Sequence, residues 1–122
     1  NQIYALTDCI DDCLILSCHD IADGGAASAL AEMTFGNGIG CDVEIETDLS
    51  LDKILFSETG GFILEVSTHN VTRVREGFSE YGQTIFNIGK TNFSNSLKLN
   101  RVINLDLDKA KNAWDDGLRK KL

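Results

Sequence analysis

The chain has 122 residues, 43% of them hydrophobic and 25% charged, which suits one domain with its own core and is too short for a nucleotide-dependent enzyme of two full domains. Its formal net charge of −8 is uneven: residues 1–60 hold twelve acids against one lysine, a net of −11, whereas residues 61–122 hold seven acids against ten basic groups, a net of +3. The acidic first half disfavours a nucleic-acid partner, since like charges repel. No stretch reaches transmembrane length, and Asp8, Asp11 and Asp12 interrupt the early apolar run that a signal peptide would need, so no membrane partner and a cytoplasmic location are expected.

Residues 2–12 fit a short helix with Ile3, Leu6 and Ile10 on one side. Leu14, Ile15 and Leu16 read as a strand running into Cys18 and His19. Asp23 is placed as N-cap of a helix over 24–35, whose apolar stripe is Ala26, Leu30 and Met33. Gly36, Gly38 and Gly40 end it and turn into an alternating edge or half-exposed strand at 42–45. Residues 51–57 suggest a short helix with Thr59, Gly60 and Gly61 as its exit, and 62–66 form the clearest strand. An amphipathic helix over 71–81 carries Val71, Val74 and Phe78; a strand at 84–88 and a hairpin at 97–99 and 102–105 follow. The closing helix, 108–118, offers Ala110, Ala113 and Trp114 as inward candidates, with Trp114 and Phe62 expected in the core. The pattern predicts one α+β domain over 1–122, a mixed β-sheet with helices packed mainly on one face, because each one-sided helix must bury its stripe.

Chemistry concentrates in HDIADGG, residues 19–25. The motif joins a strand to a helix, so the amides of Gly24 and Gly25 fall near a helix N-terminus, where free N–H groups and the helix dipole suit an anion; a purely structural turn explains the same residues. Asp23 puts negative charge beside any such cradle. Adjacent residues on a strand point to opposite faces, so His19 and Asp20 are not expected to form a direct base–acid couple, and His19 is read as a fixed structural histidine. Asp20 and Asp23 could converge on a divalent ion, but an Asx-type turn accounts for both. Glu32 reads as a solvated or helix-edge acid, Glu58 as a helix-end acceptor or interface acid, and His69 as a surface turn residue. Cys9, Cys13, Cys18 and Cys41 lack the paired CxxC spacing of a zinc site and are expected as core or half-buried thiols, with metal ligation and disulfide pairing as the other readings.

The segment HDIADGGAASALAEMTFGNGIG resembles the HD, SDGG, LAEM and glycine-turn region of the carboxy-terminal domain of the phosphoribosylformylglycinamidine synthase family, within the AIR synthase-related enzymes. LFSETGGFILEV resembles the family's LFSE segment and following strand, and GKT and the late AW fall in the same order. Ala22 stands where serine is common, and Gly61 where a basic residue often follows the FSE segment. The resemblance implies an AIR synthase C-terminal-domain-like fold and a part in an ATP- and magnesium-dependent ligase that takes ammonia from glutamine. It implies the remaining synthase domains as partners, especially an ATP-binding amino domain, and a glutaminase domain or subunit. The family's principal catalytic histidine and magnesium carboxylates lie in other domains, so no catalytic or metal-binding residue is assigned here. Gly24 and Gly25 are kept as candidates for anion or cleft contact; His19, Asp20, Asp23 and Glu58 are kept as structural members of the motif, and the chain alone is expected to be inactive.

Overall fold

The computed structural model describes residues 2–22, 24–35, 38–45 and 61–121, the last five of these by their backbone. In chain order the elements are α1 (Gln2–Asp11), β1 (Ser17–Asp20), α2 (Gly25–Thr34), β2 (Gly40–Val43), β3 (Phe62–Glu65), α3 (Val71–Ser79), β4 (Gly89–Asn92), β5 (Ser96–Leu99), β6 (Ile103–Asp106) and α4 (Leu107–Lys121). A 3-10 turn, Thr68–Asn70, leads into α3 and holds the exposed His69. The strands form two sheets. β1 and β3 pair antiparallel, placing His19 opposite Ile63. The other four run in the order β4-β2-β5-β6, with β2 parallel to β5 and the remaining neighbours antiparallel. This is the expected α+β arrangement with mixed strand directions.

The first of two apolar clusters lies under α2. Its small face, Ala26, Ala29 and Leu30, packs with Cys41 and Val43 of β2, Leu97 and Leu99 of β5, Ile63 and Leu107. Full burial of one Leu or Val side chain contributes about 1.5–3 kcal/mol, and the alanines let the helix backbone lie close to the strands. In the second cluster, Ala5, Leu6 and Cys9 of α1 meet Leu14 and the Val74 and Phe78 of α3. A methyl group added at Gly77 would come within 3.1 Å of the Cys9 sulfur, so small residues set this helix–helix approach.

Several expectations change register. α1 forms, but it buries Ala5, Leu6 and Cys9, while Ile3 and Ile10 are 63% and 49% exposed. The first strand lies after Leu16, at Ser17–Asp20; Leu14 is buried in the helix-pair core instead. β2 is internal, because β5 pairs with it on one side and β4 on the other. The strand expected at 84–88 begins at Gly89, and Ile88 meets the sheet through its carbonyl, which accepts from Glu44 N–H at 2.7 Å. Phe62 is half-buried beside the second cluster. Trp114 is 47% exposed with its ring tilted against Phe35 at 5.7 Å, and Ala113 is also exposed; among the described side chains of α4, Leu107 enters the core. The expected helix at 51–57, with Glu58, and the cap residue Asp23 lie outside the described residues.

Candidate functional site

β1 and α2 present the HDIADGG turn. After Asp20 the chain is tied to the approach to β3 by the Ile21 N–H, which donates to the Gly61 carbonyl at 2.8 Å. Gly24 occupies the cap position of α2 at φ 82°, with no side-chain cap hydrogen bond, and the helix begins at Gly25, whose φ is 68°. Two consecutive left-handed residues explain the glycine pair: an L side chain costs roughly 1–2 kcal/mol per residue in that conformation. At Gly24 there is also no room, since an added Cβ would lie 2.7 Å from the Cβ of Ser28 and overlap its hydroxyl. The helix starts one residue later than expected, so the cap position passes from Asp23 to Gly24. The open amide expected at Gly25 is committed: Gly25 is buried and its N–H donates to the Ala22 carbonyl at 3.0 Å.

His19 sits half-buried at the end of β1. Its Nδ1 is 2.6 Å from the Asp20 carbonyl oxygen, and its Nε2 is 2.6 Å from a carboxylate oxygen of Glu32 on α2. Contrary to the alternation argument, the Asp20 carboxylate is also near, 3.5 Å from Nδ1, because the ring folds along its own strand. The Asp20 carbonyl does most to raise the His19 pKa above its ordinary value; partial burial opposes it, and the Glu32 and Asp20 carboxylates add to it. Glu32 was legible only as a surface acid. Gly24, Ser28 and Glu32 recur every fourth residue, however, and that spacing puts them on one helix face.

Among the described residues, no group of three His, Cys, Asp or Glu side chains is placed to hold a metal ion. The four cysteines are free: Cys9 and Cys41 are buried, Cys13 and Cys18 exposed. Burial, with Asp42 nearby, pushes the Cys41 thiol up to about 11, which suits a core residue rather than a nucleophile. A surface hollow elsewhere is lined by Asp42, Glu44, Lys98, Arg101 and Asn104, with Arg101 paired to Glu44 at 3.6 Å. No helix among the described residues is long and apolar enough to cross a membrane.

Residues 1–101 match the family described as AIR synthase related protein, C-terminal domain. The chain belongs to this family. Among AIR synthase-related relatives, it is 30% identical over 125 residues to phosphoribosylformylglycinamidine synthase subunit PurL of Methanothrix thermoacetophila, covering 98% of this chain and 16% of that protein. For the subunit of the same name from Thermoplasma acidophilum the identity is 35% over 112 residues, covering 86% and 14%. A protein named probable membrane antigen 75, from Saimiriine herpesvirus 2, is 33% identical over 99 residues, covering 81% of this chain and 8% of that one. The chain thus spans 16% or less of the length of these relatives. Thermotoga maritima PurL complexed with FGAR superposes at a TM-score of 0.77 and 18% identity, over 90% of this chain and 20% of that one. PurLQS from the same organism gives 0.79 at 17% identity, over 90% and 21%. The fold is therefore the AIR synthase C-terminal-domain fold.

Proposed function

We propose that this chain serves as the carboxy-terminal AIR synthase-like domain of a phosphoribosylformylglycinamidine synthase. The complete enzyme would be a cytoplasmic ligase that uses ATP, magnesium and glutamine-derived ammonia to convert formylglycinamide ribonucleotide to formylglycinamidine ribonucleotide. Its partners would be an ATP-binding amino domain and a glutaminase domain or subunit. The observation that carries this reading is the near-complete alignment of the chain with synthase subunits several times its length.

The described residues do not fit ATP or magnesium by themselves. The Gly25 amide is used within the turn, His19 is engaged with Glu32, and the described acids form no three-ligand group. The family resemblance assigns nucleotide chemistry to other domains. The role of this chain is positional: α2 and the glycine turn brace one wall of a cleft that the amino domain completes, with Gly24 and Gly25 allowing close approach. Holding reacting groups in place is itself catalytic, because small displacements cost rate steeply.

A domain exchange tests the reading. This chain replaces the corresponding segment of the Thermoplasma acidophilum subunit, and the folded chimera is assayed for ATP-dependent amidation beside the chain alone. Turnover by the chimera and none by the chain supports the proposal; a folded, inactive chimera refutes it. The alternative reading is a noncatalytic interaction module that docks a glutaminase or another domain. That reading predicts the inactive chimera.

A further inference from the structure

His19 faces an acceptor at each ring nitrogen, the Asp20 carbonyl oxygen at Nδ1 and the Glu32 carboxylate at Nε2, both at 2.6 Å. A carbonyl oxygen and an ionised carboxylate have no hydrogen to donate, and a neutral imidazole carries only one N–H. Satisfying both contacts takes the imidazolium, which donates from both nitrogens. The neighbouring acids agree in sign, and partial burial opposes them. On its own strand His19 has the Asp20 carboxylate 3.5 Å away and Cys18 beside it; α2 contributes Glu32; β3 sets Ile63 opposite, flanked by Phe62 and Leu64, none of which titrates.

We infer that His19 is a charged clasp that fastens the end of β1 to α2, and that loss of its proton loosens the turn carrying Gly24 and Gly25. A neutral ring keeps one N–H, so it either drops the Asp20 carbonyl or turns a lone pair toward the Glu32 carboxylate. Either way the ring loses the charge that draws it to the Glu32 carboxylate, so the side-chain tie across the connection from residue 19 to residue 32, the stretch that holds the two left-handed glycines, is weakened. The raised His19 pKa fixes the direction. A histidine whose folded value exceeds its unfolded value of about 6.5 contributes fully below that pH and loses its contribution as pH rises through the folded value. The turn is therefore firm below about pH 6.5 and loosens as pH rises through the raised His19 value. This inference stands on the turn's geometry and is independent of the synthase reading.

The test is an imidazole nitrogen NMR titration of the full 15N-labelled chain from about pH 5.5 to 9, with His69→Gln used to assign the two histidines. Gly25 amide protection, corrected for intrinsic exchange, is followed in parallel. His19 should titrate with a midpoint above about 6.5 and be doubly protonated below it, and Gly25 protection should fall about threefold or more across that midpoint. Glu32→Gln should lower the midpoint and bring Gly25 protection near pH 6 to the level that the parent chain shows above its midpoint. A midpoint at or below about 6.5, or Gly25 protection that ignores the titration, overturns the inference. Should Glu32→Gln fail to fold, the parent chain's two readouts decide the matter alone.

Discussion

Substituting Gly24 by alanine tests the physical account of the glycine turn. The backbone there has φ 82°, which costs an L residue roughly 1–2 kcal/mol. The new methyl would sit 2.7 Å from the Ser28 Cβ, an atom fixed to the α2 backbone that cannot rotate away, and overpacking of that kind costs about 1–3 kcal/mol. Gly24→Ala should thus lose about 2–5 kcal/mol in urea melts at constant m-value. The two causes separate in a double-mutant cycle. Ser28→Gly alone should cost about 0.5 kcal/mol, the difference between serine and glycine inside a helix. Because it removes the clashing atoms, the double variant should be more stable than the sum of the single losses by about 1–3 kcal/mol. Additive losses would refute the steric term, and a loss under about 0.5 kcal/mol for Gly24→Ala would refute both terms.

Asn100→Ala should cost about 2–3 kcal/mol. Its amide donates to the Ile45 carbonyl at 3.1 Å and accepts from the Ile45 N–H at 2.8 Å, and its φ of 50° is one that asparagine tolerates better than alanine. Asn100→Gly keeps the backbone and loses only the side-chain bonds, so a melt showing it no more stable than Asn100→Ala would remove the backbone part. Trp114→Ala should cost about 1–2.5 kcal/mol, since the half-exposed ring loses mainly its contact with Phe35, and a loss of 4 kcal/mol or more would restore Trp114 to the core. A thiol reagent at neutral pH should modify Cys13 and Cys18 promptly and reach Cys9 and Cys41 only after denaturation; prompt reaction of a third thiol would contradict their burial.

The reading of α3 transferred to the structure because its pattern offers one apolar face: Val74 and Phe78 are buried, and the helix around them is charged. α1 offers two. Ile3 and Ile10 satisfy helical spacing as well as Ala5, Leu6 and Cys9 do, and the winner was decided by α3, whose Gly77 admits a neighbour with small side chains. Bulk and hydropathy favoured the isoleucines; closeness of approach favoured alanine and cysteine. Trp114 misled for a similar reason, because size suggests a core anchor while α4 turns Leu107 inward and leaves the ring at the rim.

Local chemistry alone determined that a strand and a helix meet at HDIADGG and that a glycine pair must make the turn, since both follow from propensities and backbone sterics acting over a few residues. Ordered motifs also sufficed to indicate the family. Tertiary structure decided what sequence separation conceals: that β2 runs inside the sheet beside a strand more than fifty residues later, and that Glu32 reaches back to His19. Strand order depends on which distant edges pair, and the charge of His19 depends on which acceptors the packed helix brings to its second nitrogen. Neither quantity exists until the chain has closed on itself.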